Sequence, residues 1–226
     1  MVNDPRHGPL PMLLLVLTAV AGAVDAISYL RLGHVFVANM TGNVVFLGFA
    51  AAGAPGVSAT GSAIALGAFF AGSVAGGRLG AAAGGHRGHL LALAEGIGTA
   101  LLVVAAAIAI GGSGAVADFG LVAVLAATMG LQSATARAIG VPDLNTTVVT
   151  MTLAALAAES HRVGGARLAL RLAAIGAMLA GAILGGLVVL RAGVAAALIG
   201  LAAIAALTSV TVLLRSKASP TWAKQV

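Results

Sequence analysis

Six separate apolar runs, each long enough to cross a bilayer, limit what this chain can become more than any other feature. They lie near residues 10–31, 57–82, 89–112, 115–137, 166–190 and 192–214. A helix needs about 20 apolar residues to cross the ~30 Å hydrocarbon core. Charged residues make up 8% of the 226 residues and apolar ones 60%, against about 25% and 45–50% in soluble domains. So little charge cannot cover a folded surface in water, and lipid is the solvent that fits. In lipid the backbone must satisfy its own hydrogen bonds, and runs of this length do so as helices. The expected fold is therefore an all-α integral membrane protein.

Two further segments, near 34–54 and 141–159, are of another kind. Each opens with polar or irregular sequence and then becomes an apolar helix of about 13 residues, too short to span alone. They also repeat each other. Asp25 to Gly33 followed by Asn39-Met-Thr41 corresponds to Gln132 to Gly140 followed by Asn145-Thr-Thr147. Further on, Ala71-Gly72 and Gly76-Gly77 correspond to Ala180-Gly181 and Gly185-Gly186. The chain thus reads as a single membrane domain, 1–226, with repeat halves 10–114 and 115–214 and an exposed cytoplasmic tail, 215–226. Internal duplication of this kind is common in membrane transport folds.

Charge placement decides between topologies. If the short segments cross the membrane, eight spans divide loop Arg and Lys seven to five. If they enter and leave on one face, six spans put Arg6, Arg78, Arg87, Arg137, Arg162, Arg167, Arg171, Arg215, Lys217 and Lys224 on one side. Arg31 and Arg191 remain on the other. The second division obeys the positive-inside rule far better. It predicts about six transmembrane helices plus two short broken or re-entrant helices, in a 3+3 inverted repeat with both termini cytoplasmic. Arg6 and His7 before Leu10–Val24, with Ala21-Gly22-Ala23 behind, also fit a secretory leader. The repeat argues against removal, because it uses this run as its first element.

The stretch Asp25 to Gly48, above all Val35-Phe-Val-Ala-Asn-Met-Thr-Gly-Asn43, resembles the signature of YoaK-type membrane proteins, domain of unknown function 1275. Gly130-Leu-Gln-Ser-Ala-Thr-Ala-Arg137 with Val141-Pro-Asp-Leu-Asn-Thr-Thr147 resembles that family's second signature. The likeness covers roughly residues 10–215 and implies a multi-span protein of the bacterial inner membrane. It implies no activity.

Polar residues inside apolar segments need a partner or water. Asp25, Asn39, Thr41, Asn43, Gln132, Asn145 and Thr147 are the candidate lining of a path for a small polar or anionic solute, with Thr146 and Thr150 beside them. On this reading the short helices start near Thr41 and Thr147 and aim their N-termini at a central site. The plainer alternative makes the asparagines interhelical glue and the threonines ordinary caps. Asp25 either carries a proton, pairs with Arg31, or caps the broken segment. Glu95 is a second proton-carrier candidate, expected nearer the inner interface beside His86, Arg87 and His89. Arg137 and Asp143 form a candidate pair. Gly72, Gly76, Gly181 and Gly185 read as packing seams between halves or subunits.

Enzyme signatures are missing. No Gly-x-Ser-x-Gly elbow or His-Glu-x-x-His motif occurs. Gly56-Val-Ser58-Ala lies in a turn, with no histidine in a later span to activate it. No catalytic residue, metal site or cofactor is expected. The expected partners are membrane lipids, a small polar solute or anion and a second copy of the chain, and nucleic acid is not among them. A non-transporting module that binds lipid or another membrane protein is the alternative function.

Overall fold

The computed structural model describes residues 8–141, 154, 165–218 and 222–223. It is helical as the apolar runs require: α1 (Leu10–Arg31), α2 (Met40–Ala51), α3 (Ala59–Ala82), α4 (Arg87–Gly111) and α5 (Ala115–Ile139). A last helical stretch, Gly165–Ala218, is broken at Gly193, whose φ of 85° and ψ of 174° no helix contains. It is therefore two helices, α6 (165–192) and α7 (194–218). Five stretches are long and apolar enough to cross a membrane, and the 49-residue Leu168–Ser216 is one of them. At 1.5 Å per residue it is long enough to cross twice. With that stretch broken at Gly193, the described residues hold six helices long and apolar enough to cross.

Local sequence sets several boundaries. Ser58 caps α3 by accepting the Gly61 amide at 3.0 Å. His86 Nδ1 accepts the His89 amide at 3.1 Å and caps α4. Gly140 closes α5 in the left-handed conformation, where a side chain is disfavoured. The serine expected in a turn thus has a structural task.

The passes pack crosswise between the halves. Gly72 of α3 lies on the Ala127 backbone of α5, and Gly76 lies on Leu131. Gly130 in return lies on Phe69. The second seam repeats this order: Gly181 of α6 on Ala19 of α1, Gly185 on Ala23, and Gly22 on Met178. Positions rise together along both seams, so α3 runs parallel to α5 and α1 to α6. Small residues allow such close approach where lipid supplies no hydrophobic drive. Ser73 Oγ ties the first seam by donating to the Gly130 carbonyl at 3.2 Å. Ala21, Gly22 and Ala23, the residues that resemble a leader cleavage site, are buried here.

The ends of the helices sort onto two faces. Gly8 packs on Trp222, Gly88 on Ser216 and Ala223, and Gly80 on Ala138. The starts of α1 and α4 and the ends of α3, α5 and α7 therefore share one face. On the other, Gly33 approaches Ser58, and Gly61 meets Val35. The chain leaves α1 and enters α3 at the same level, so α2 is an excursion and no full crossing. Two residues of the tail expected to be exposed are buried. Trp222 and Ala223 are 3% and 0% exposed, in an apolar cluster with Leu10, Leu14 and Leu91. The Gly88 amide donates to the Ala223 carbonyl. Large apolar side chains such as Phe70, Ile110 and Leu207 cover the outside, as a lipid-facing surface demands.

Candidate functional site

After Arg31 the chain leaves the helix and re-enters it at Met40. Val35, Val37 and Ala38 of this irregular piece are buried. Their backbone groups cannot reach water, and each one buried without a partner would be costly. Three buried side chains meet that demand. Asp25 Oδ1 accepts the amides of Val37 at 2.8 Å and Ala38 at 2.7 Å. Ser28 Oγ donates to the Val35 carbonyl at 2.7 Å. Asn43 closes both groups of Phe36, its Oδ1 accepting the amide at 3.0 Å and its Nδ2 donating to the carbonyl at 2.6 Å. Asp25, Ser28 and Asn43 are 6%, 0% and 0% exposed. Asp25 and Ser28 sit one turn apart on α1, so they present one face to the same loop.

Aromatic rings cover the outside of the break. Tyr29 stacks on Phe36 with centroids 5.1 Å apart, and Phe36 on Phe46 at 5.7 Å. His34, held at φ 58°, meets the Tyr29 edge. Asn39 and Thr41 lie on the exposed side at the start of α2. Asn39 occupies the N-cap position, but its side chain makes no capping bond.

Of the residues predicted to line one path, Asp25 and Asn43 thus support a single loop, with Asn39 and Thr41 at its surface. Asp25 is occupied by backbone amides, and Arg31 is exposed. Gln132 lies elsewhere. Its Nε2 donates to the Leu17 carbonyl at 3.0 Å. Leu17 is eight residues, about 12 Å, along α1 from Asp25. Asn145 and Thr147, with Thr146, Thr150 and Asp143, fall outside the described residues.

Glu95, expected near the inner interface beside His86, Arg87 and His89, is 5% exposed and faces the helix bundle. It lines a cavity of about 10 Å³ together with Thr128, Met129, Gln132, Val20 and Ala205. Among the described residues, no hydrogen bond or ion pair reaches its carboxyl group. Ser28 and Thr128 were absent from the sequence-based candidates. Ser28 was legible as one helical turn from Asp25, whereas nothing in the sequence marked Thr128.

Comparison with known proteins agrees with this architecture. The profile described as "Protein of unknown function (DUF1275)" matches residues 13–211. The chain is similar to the UPF0700 transmembrane protein YoaK of Bacillus subtilis (strain 168), with 35% identity over 145 residues. That alignment covers 64% of this chain and 64% of the relative. No solved structure matches. Six apolar passes among the described residues, a buried break after the first of them and a profile match over nearly the whole length give one conclusion: the chain is a multi-pass membrane protein of the DUF1275 family.

Proposed function

We propose that the protein is a small secondary transporter or channel, built as a 3+3 inverted repeat, for a small polar or anionic solute. The observation that carries this reading is the buried break at residues 32–39, followed by a helix too short to span. Irregular backbone at membrane depth survives only inside protein or along a wet cavity. In transport folds such discontinuous helices flank the solute. The inverted repeat draws support from the two matched seams, in which α1 and α5 exchange partners while running in opposite directions. Asn39 and Thr41 stand at the free start of α2, and Asn145 and Thr147 are their counterparts by sequence.

Reconstitution in liposomes tests the reading. With purified protein, a screen of small polar and anionic solutes should reveal flux. Changing Asn39→Ala together with Asn145→Ala should lower it about tenfold, the equivalent of ~1.4 kcal/mol, with thermal stability kept. No flux in a broad screen, with the double variant altering stability alone, would leave transport without support.

The positive-inside rule places both termini in the cytoplasm. The described cations support it: Arg78, Arg87, Arg137 and Arg215 belong to helix ends on the face shared by the termini, and Arg31 and Arg191 to ends on the other. Reporter fusions at Gly85, Gly165 and the C-terminus should all report the cytoplasm, and a fusion at Gly112 the outside. An outside signal at Gly85 or Gly165 would reject six passes.

An apolar groove of about 200 Å³ runs between α1, α6 and α7, lined by residues such as Val16, Ile27, Leu184 and Ile204. It suits a lipid chain, so a lipid-binding membrane module is the alternative. No catalytic role is proposed.

A further inference from the structure

We propose that Glu95, with Gln132 and Thr128, forms a buried proton-binding site that couples proton movement to the transport proposed above. The inference rests on that transport reading for its purpose, but its geometry stands apart from the break at residues 32–39. Glu95 lies eight residues into α4, about 12 Å from its start. Ser209 of α7 fixes α4 beside it, donating to the Ala92 carbonyl at 2.9 Å. Across the cavity stands α5, whose Thr128 lines it opposite Gly98.

Apolar residues flank the cavity along the helix axes. Leu17, Leu91 and Ala92 belong to the apolar cluster toward the termini. Val20, Leu102 and Met129 belong to the cluster toward the opposite face. A volume of about 10 Å³ admits at most a single water, which rules out a solute and suits a proton.

The polar groups present are mostly acceptors. Gln132 has spent one of its two amide hydrogens on Leu17, and Thr128 its hydroxyl hydrogen on the Val124 carbonyl. What remains is the carboxyl group, the Gln132 amide oxygen with its second amide hydrogen, and the Thr128 oxygen. With acceptors in excess and no cation among them, the set disfavours an anion and can take up a proton. No other titratable or charged side chain lines the cavity from α1, α5 or α7. The nearest on α4 itself, Arg87 and His89, lie near its start, His89 exposed and Arg87 half-buried. A buried carboxyl group without a counter-charge is costly in lipid and is the usual mark of a proton relay. The proton binds a Glu95 carboxylate oxygen and leaves the same oxygen on release.

Isotope-edited infrared spectroscopy of the full-length protein in lipid reads this directly. The chain has two glutamates, Glu95 and Glu159, so carboxyl-labelled glutamate gives two assignable groups. The expected result is a protonated-carboxyl band from Glu95, shifted as for a water-poor site, that appears and disappears across a pH series. It should vanish in Glu95→Gln and persist in Glu159→Gln, which keeps the assignment secure if the first variant folds poorly. Absence of any titrating Glu95 band over the pH range where the protein stays folded would overturn the proposal. Solute flux without that band defeats the proton site alone. A titrating band with a silent liposome screen supports the proton site and defeats the transport reading alone.

Discussion

Gly181→Ala should cost at least about 3 kcal/mol, while Gly67→Ala, also inside a helix, should cost nothing or stabilise by up to ~1 kcal/mol. Position 181 is pressed against the Ala19 carbonyl, and a Cβ there would overlap backbone atoms. A flexible side chain can rotate away from a new methyl group, but a helix backbone cannot. α1 and α6 must separate, and the seam loses the packing that stands in for the hydrophobic effect in lipid. Gly67 has nothing within 4 Å of such a Cβ, so the substitution only removes glycine's entropy in the unfolded chain. Gly72→Ala should behave like Gly181→Ala, because Gly72 meets Ala127 in the same way. Thermal unfolding in detergent, followed by the fluorescence of the single, buried Trp222, makes the comparison. Equal midpoints for Gly181→Ala and Gly67→Ala would mean that the seams are looser than the contacts imply.

Asp25→Ala should destabilise by about 3 kcal/mol, because it strips a charged acceptor from two buried amides at once. Asp25→Asn keeps one acceptor oxygen and should cost clearly less. The break itself should open first, so protease cleavage within residues 32–39 should appear in Asp25→Ala before global unfolding. Asn43→Ala, which frees both backbone groups of Phe36, should show the same local opening. The contrary result is informative. If Asp25→Ala kept wild-type stability and lost only flux, the aspartate would be a coupling group, and its bonds to Val37 and Ala38 would be incidental.

Much of this was legible in the residues. Run lengths and the Arg/Lys division gave six passes, because a helix in lipid has a minimum length and cations near it prefer one side. The seam glycines were visible because four-residue spacing puts small residues on one helix face. Their matched order in the two halves was equally visible. The burial of Trp222 and Ala223 was not, since they find their places only against α1 and α4.

The polar residues divide more sharply. The sequence alone determined that Asp25, Asn43, Gln132 and Glu95 must find partners or water, because hydrocarbon offers neither. Which partners they find was a tertiary decision. Asp25 and Asn43 reach backbone made irregular twelve and seven residues away. Gln132 reaches across 115 positions to Leu17, and Glu95 reaches a cavity built by three other helices. Membrane insertion follows from composition summed along the chain, whereas a site depends on which faces of distant helices are turned together. Periodicity fixes the faces of each helix but leaves their pairing to packing.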